Sequence, residues 1–211
     1  MAPDLPNAAL RKAIADYAEL ELEIDRLVKG RLSDVCANCE KPCCRPDVCE
    51  QAVESWWLRE VSRHVHGRWW PDDWQAARQC VAMTETGCLL TAGRPLICRS
   101  FVCDHYVEAY GDLWEAVFFS FVADLLWEVS QLSSRVSLET LEADEAPKYA
   151  EAIARRIAVG RRQLDLAKRL LDPAVDRMEK HRITLRLLCE VPRFLRATTR
   201  RAILARLDES R

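Results

Sequence analysis

Nine of the ten cysteines lie between positions 36 and 103, in one third of the chain. The first block is Cys36-x2-Cys39-x3-Cys43-Cys44-x4-Cys49, and the second is Cys80-x7-Cys88-x9-Cys98-x4-Cys103. Two cysteines separated by two residues can turn both sulfurs towards one ion, and thiolates are strong ligands for zinc and for iron–sulfur clusters. Ordinary buried thiols would be scattered along the chain, so this density and spacing predict a cysteine-ligated metal centre.

The adjacent pair Cys43 and Cys44 suggests that the centre holds more than one metal. Neighbouring side chains in an extended or turning chain point apart, so the pair is better suited to two metal sites, or to two metals of one polynuclear centre, than to a single ion. Eight cysteines would fill two four-thiolate sites of zinc or of an iron–sulfur cluster, and nine would hold three zinc ions with shared thiolates. Cys49 is the candidate ninth ligand.

Known spacings leave the identity of the metal open. A zinc ribbon has two C-x2-C pairs, of which this chain has one. The bacterial ferredoxin run is C-x2-C-x2-C-x3-C-P, whereas the second interval here is three residues and no proline follows Cys43 or Cys44. Zinc and an iron–sulfur cluster therefore both remain candidate cofactors.

The second block also carries basic residues beside its cysteines. Four thiolates on a divalent ion leave a net negative charge, which Arg94 and Arg99 would offset. Cys103 precedes a predicted helix, whose N-terminal dipole would stabilise a thiolate.

These motifs resemble the YkgJ-like cysteine-cluster family, whose members are described as zinc- or iron-chelating domains. The family pattern is C-x2-C-x3-CC, a middle cysteine, and then G-x-C-x-[IL]-Y-x-x-RP-x-x-CR-x-F-x-C. The matching residues here span about 36–106 and are Cys36, Cys39, Cys43, Cys44, Cys80, Cys88, Arg94, Pro95, Cys98, Arg99, Phe101 and Cys103. Three departures affect the loops: Gly87 directly precedes Cys88, Thr91 replaces the usual tyrosine, and no proline follows Cys80. The resemblance implies eight cysteine ligands and no particular reaction.

Aromatic residues and histidines surround the cysteine blocks. Tryptophans between the blocks would shield a redox centre from water or simply fill the space between helices, and packing is the simpler interpretation. They are Trp56, Trp57, Trp69, Trp70 and Trp74. His64, His66 and His105 are close enough in sequence to act as ligands, although a histidine on a helix is more often a surface residue.

Composition indicates a folded protein of a reducing compartment. Hydrophobic residues make up 49% of the chain and charged residues 30%, which is typical of globular proteins. We expect a cytoplasmic location without a membrane segment, because no long apolar run is present. In that reducing compartment, clustered cysteines indicate metal ligation or redox chemistry rather than disulfides. Residues 151–211 contain 16 basic and 8 acidic residues. Because acidic residues are interspersed on its helices, this basic face is most simply a solvated one. The alternative is that it contacts the acidic N-terminal portion or a protein partner, and nucleic acid binding is not expected.

Apolar spacing predicts an all-α fold: a helical bundle with two irregular cysteine-rich metal-binding loops. Glycine is sparse, and prolines stand at three predicted helix starts. The predicted helices are 7–29 ending at Gly30, 50–65 ending at Gly67, 72–83, one capped by Asp104 that runs to 132, 147–171, 173–191 and 192–207. Cys189 falls on one of these helices and is expected to be a small buried residue.

We expect two parts: residues 1–135 as the cysteine-cluster core with flanking helices, and residues 136–211 as a basic helical segment packed on that core. The favoured function is a redox or metal-handling accessory protein. Two alternatives are a structural zinc module whose helical surface binds a protein partner, and a metalloenzyme with an open metal position. No motif of an established catalytic site is present, so the sequence leaves enzymatic activity undecided.

Overall fold

The computed structural model describes residues 7–37, 54–67, 83–84, 87–88, 90–100, 112–190 and 205. Helices dominate this part of the chain, which confirms the predicted all-α class. They are α1 (Ala8–Ala37), α2 (Trp56–His66), α3 (Leu96–Ser100), α4 (Leu113–Ser130), α5 (Ala146–Lys168) and α6 (Arg177–Glu190). Two short 3-10 helices are η1 (Leu138–Thr140) and η2 (Arg169–Leu171). A minimal antiparallel ladder joins β1 (Met83–Thr84) to β2 (Gly87–Cys88), with Met83 opposite Cys88.

Helix α1 is longer than the sequence pattern predicts. Its buried stripe includes Leu10, Ile14, Tyr17 and Ile24, as expected from their spacing. The predicted stop at Gly30 is wrong, since the helix continues to Ala37. A glycine inside a helix costs only about 1 kcal/mol relative to alanine, and the residues around it favour helix. Cys36 therefore lies in the last turn of α1 rather than in a loop.

Helix α2 has a defined cap at each end. The Ser55 hydroxyl accepts the Leu58 N–H at 3.4 Å, which satisfies one of the unpaired donors of the first turn. Gly67 has a φ of 68° and donates its N–H to the Arg63 carbonyl, so the prediction that it ends this helix is confirmed. The predicted stretch 50–53 lies outside the described residues.

Helix α4 begins at Leu113, where Asp112 accepts the Trp114 N–H at 2.6 Å. The proposed cap Asp104 lies outside the described residues. The helix ends at Ser130 rather than at residue 132, because the chain turns back there through a β-bridge between Gln131 and Ser137.

Helix α5 agrees with its predicted range, whereas helix α6 does not. Helix α5 with η2 covers 146–171, close to the predicted 147–171. The predicted start of α6 at Pro173 is wrong. Asp172 accepts the Ala174 N–H at 2.8 Å and holds Pro173 in a turn, and Asp176 then caps α6 through the Glu179 N–H at 2.9 Å.

Three other predictions concern the 72–83 helix, the 192–207 helix and the burial of Cys189. Residues 72–82 and most of 192–207 lie outside the described residues, and Met83 belongs to β1. Cys189 is exposed, which corrects the expectation of a buried residue. The buried stripe of α6 is formed by Ile183, Thr184, Leu187 and Leu188, and one further residue turns the helix about 100° away from Leu188.

The chain divides into two compact units. Unit one contains Met1–Arg99 and Ser130–Ile157, and unit two contains Ser100–Val129 and Ala158–Arg211. In unit one, α1 packs against α2, α2 lies beside η1, and β2 lies beside α1. In unit two, η2 packs against α6, where Arg169 donates to Glu179 at 3.2 Å. The boundary at residues 135/136, with the basic segment packed on the core, stays a prediction.

Among the described residues, none of the helices combines the length and the apolarity that crossing a membrane requires.

Candidate functional site

Three of the predicted ligands lie on described backbone, and all three belong to unit one. Cys36 is in the last turn of α1, Cys88 is in β2, and Cys98 is on α3. The other six fall outside the described residues: Cys39, Cys43, Cys44, Cys49, Cys80 and Cys103. Because β2 lies beside α1, the element that carries Cys88 neighbours the helix that carries Cys36.

The best-defined part of this region is the turn from Gly93 to Cys98, which we call the Cys98 turn. It contains the RP-x-x-C portion of the sequence motif. Ala92, which precedes the turn, and Leu96, within it, are fully buried, so the turn is anchored in the interior of unit one.

Gly93 begins the Cys98 turn in a conformation that only glycine tolerates easily. Its φ is 72°, and its backbone packs against α2. A Cβ at this position would lie 2.7 Å from the Leu58 carbonyl oxygen and 2.9 Å from the Ser62 Cβ and N atoms. The Gly93 N–H donates to the carboxylate of Glu21, a fully buried residue of α1. The start of the turn is therefore held between two helices.

Arg94 connects α1 to the far end of the turn. Its guanidinium lies 3.9 Å from the Asp25 carboxylate and donates to the Cys98 carbonyl oxygen at 3.4 Å. The expectation that Arg94 offsets thiolate charge stays a prediction, and these contacts show that it also holds the backbone of Cys98. The side chain of Arg99 is not among those described.

A third carboxylate accepts a hydrogen bond from the first residue of α3. Glu139, from η1, accepts the Leu96 N–H at 2.7 Å, and the Cys98 N–H donates to the Pro95 carbonyl at 2.9 Å. Burial raises the pKa of the Glu139 carboxyl, and the hydrogen bond from Leu96 opposes part of that rise. A side chain 43 residues away thus takes the place of a local helix cap.

Cys98 itself is half-buried and forms no disulfide with another described cysteine. Its donor chemistry fits a zinc ion or the iron of a cluster, since both take cysteine sulfur as a ligand. The described side chains alone do not form a site. In that part of the chain, no three histidine, cysteine, aspartate or glutamate side chains are grouped closely enough to hold a metal ion.

Sequence reasoning missed the three carboxylates that hold the Cys98 turn, Glu21, Asp25 and Glu139. A signal was present for Glu21, which is four residues after Tyr17 and three before Ile24, inside the apolar stripe of α1. A charged residue in such a stripe is seldom fully buried without a partner. Glu139 gave no local signal, because its partner is remote in sequence.

The described tryptophans support the packing interpretation. Trp57 is fully buried and meets the ring of Tyr17 edge-to-face, with ring centroids 5.6 Å apart. Trp56 is half-buried, with its ring 6.3 Å from that of Trp57. Trp69, Trp70 and Trp74 lie outside the described residues, so a shielding role for them stays a prediction.

The histidines of α2 lie in its last turn, where the helix dipole favours basic residues. His64 is exposed and His66 is half-buried, and neither joins a ligand group with other described side chains. His105 lies outside the described residues.

Comparison of the chain with models of protein families, with curated proteins and with solved structures finds no match. The resemblance to the YkgJ-like family stays a prediction from the motif.

Proposed function

We propose that this chain is a cysteine-ligated metal-binding protein, holding zinc or an iron–sulfur cluster, that serves as a redox or metal-handling accessory. The observation that carries the proposal is the set of nine cysteines between positions 36 and 103. The ligands are Cys36, Cys39, Cys43, Cys44, Cys80, Cys88, Cys98 and Cys103, with Cys49 as the candidate ninth. Bound zinc would pin these loops together, and an iron–sulfur cluster would in addition accept and donate electrons.

The geometry of α1 supports a role for both cysteine blocks in one centre. Glu21 and Asp25 mark the face of α1 that contacts the Cys98 turn. Position 36 follows position 25 by eleven residues, which at 100° per residue places the two about 20° apart around the helix. The face that receives the second block therefore also carries the first ligand position of the first block.

The fixed backbone of the Cys98 turn is a second support. A metal site whose ligands are already ordered loses less conformational freedom when the ion binds. The hydrogen bonds to Gly93, Leu96 and Cys98 hold the backbone that carries the proposed ligand Cys98.

A structural zinc module with a partner-binding surface is the second candidate. It is favoured by apolar side chains on the outer face of α6, where Met178 is 66% exposed and Leu185 is 41% exposed. These two residues are seven apart and so share one face of the helix. In this case the metal would supply folding energy and no redox chemistry.

Anaerobic purification followed by metal analysis and an absorption spectrum tests the proposal. Stoichiometric zinc without visible absorbance would identify a zinc protein, and broad absorbance at about 400 nm would identify an iron–sulfur protein. Protein that folds and contains no stoichiometric metal would refute metal binding in every form. Unfolding on chelation, without redox activity, would favour the structural module.

A pair of variants locates the site. Cys98→Ser should lower the metal content, because it removes a proposed ligand from an ordered turn. Cys189→Ser is the matched control, since this cysteine is exposed on α6 and outside the cluster. Equal metal content in the two variants would exclude Cys98 as a ligand.

A further inference from the structure

We infer that Glu21 and Glu139 are positioning residues for the Cys98 ligand: their carboxylates hold the Cys98 turn in its metal-binding conformation before metal binds. This inference rests on the proposed function, because it concerns the placement of a proposed ligand. It adds two acidic residues, distant in sequence, to a site whose motif specifies no acidic residue.

Both carboxylates bind backbone N–H groups of the same turn. Glu21 accepts from Gly93 across 72 residues of sequence, and Glu139 accepts from Leu96 across 43 residues. The two donors stand on either side of Arg94 and Pro95. Because the contacts are to the backbone, they set the path of the chain at these points.

The backbone between Leu96 and Cys98 is also restrained by hydrogen bonds. Cys98 is two residues beyond Leu96, its N–H is bonded to the Pro95 carbonyl, and its own carbonyl accepts from Arg94. Displacement of Leu96 would therefore move Cys98. The carboxylate of Glu139 acts on the ligand through this short, hydrogen-bonded segment.

The burial of Glu21 indicates that the arrangement serves more than stability. This side chain has no exposed surface, and placing a carboxylate in the interior of a protein is unfavourable unless it is well partnered. An apolar side chain would avoid this cost, but it would accept no hydrogen bond from Gly93. Partners that orient metal ligands commonly change metal affinity by about 10- to 100-fold.

The rate of metal loss tests the inference. The full-length protein is purified anaerobically with its metal and mixed with excess EDTA, and the metal that remains bound is measured by elemental analysis over time. We expect Glu139→Ala to lose its metal about 10- to 100-fold faster than the wild type. Glu139→Gln keeps an acceptor oxygen for the Leu96 N–H and should release metal at close to the wild-type rate.

Asp176→Ala is the matched control. It removes a carboxylate that caps a helix through a backbone N–H, but it does so on α6 in unit two. A general loss of stability would accelerate metal loss in both alanine variants, whereas positioning of Cys98 affects only Glu139→Ala.

Three outcomes would overturn the inference. They are loss of metal from Glu139→Ala at the wild-type rate, acceleration of metal loss by Asp176→Ala as large as that by Glu139→Ala, and loss of metal from Glu139→Gln as fast as from Glu139→Ala. If Glu139→Ala does not fold, Glu139→Asp takes its place, because its shorter side chain withdraws the acceptor from Leu96. Loss of metal from Glu139→Asp at the wild-type rate would likewise overturn the inference. A wild-type protein without metal refutes the proposed function as well, so the two failures are distinguishable.

Discussion

Glu21, on the buried stripe of α1, accepts the backbone N–H of Gly93, and the two residues are 72 positions apart in the sequence. A hydrogen bond to a charged group contributes about 1.5–3 kcal/mol, whereas burial of a carboxylate costs several kcal/mol. The pair therefore adds little net stability. The bond also fixes the start of the Cys98 turn, because its donor is a backbone N–H.

Replacement of Gly93 by alanine should destabilise the protein strongly. The new Cβ would meet the α2 backbone at 2.7 Å, and its positive φ adds a cost of about 1 kcal/mol. Gly67→Ala is the matched control, with a similar φ of 68° and no atom within 4 Å of its Cβ. Chemical denaturation should show a loss of about 1 kcal/mol for Gly67→Ala and at least about 2 kcal/mol more for Gly93→Ala. Equal losses would show that the close packing of Gly93 on α2 does not exist in solution.

Removal of the Glu21 carboxylate should lower the free energy of unfolding, because the Gly93 N–H stays buried. Glu21→Ala leaves the Gly93 N–H without this acceptor, and we expect a loss of about 1–3 kcal/mol in the free energy of unfolding. Glu19→Ala, at an exposed position of the same helix, should change it by less than about 0.5 kcal/mol. The measurement is urea denaturation at neutral pH. A similar small effect of both substitutions would contradict the structural role of Glu21.

Glu139 should make stability depend on pH in an unusual direction. Its pKa in the folded protein is raised above the ordinary value of 4.5, so the folded state keeps a proton that the unfolded state has released. This contribution is complete below about pH 4.5 and is lost as the pH rises through the raised pKa. Glu139→Gln cannot titrate, so its free energy of unfolding relative to the wild type should increase over that window. Parallel pH profiles for the two proteins would exclude burial as the dominant influence on this carboxyl.

Truncation of Trp57 should test whether this tryptophan serves packing. Trp57 is fully buried against Tyr17, and Trp57→Ala should lower the free energy of unfolding by about 3–5 kcal/mol. Trp56→Ala should cost clearly less, because that side chain is half-buried. If the purified protein has a visible absorbance, Trp57→Phe should leave its spectrum unchanged. A changed spectrum in a stable Trp57→Phe variant would instead favour the shielding role.

The helices show how far local patterns predict this fold. The stripe of α1, the stop of α2 at Gly67 and the extent of α5 with η2 follow from apolar spacing and terminal residues, which are local properties. The errors occurred where two local signals competed. Gly30 resembles a helix end but stands among helix-forming residues, and Pro173 resembles a helix start although Asp172 and Asp176 form the turn and the cap.

The candidate site likewise has one part that the sequence predicts and another that only the tertiary structure reveals. The cysteine spacing, and with it the expectation of metal, is a property of the sequence alone, because ligand types and their intervals are visible there. The carboxylates that hold the Cys98 turn became apparent only in the tertiary structure. Glu21 and Glu139 reach Gly93 and Leu96 across 72 and 43 residues, and no local pattern records which buried acceptor will meet a distant backbone donor. That pairing depends on the packing of α1 and η1 around the turn, which exists only in the folded chain.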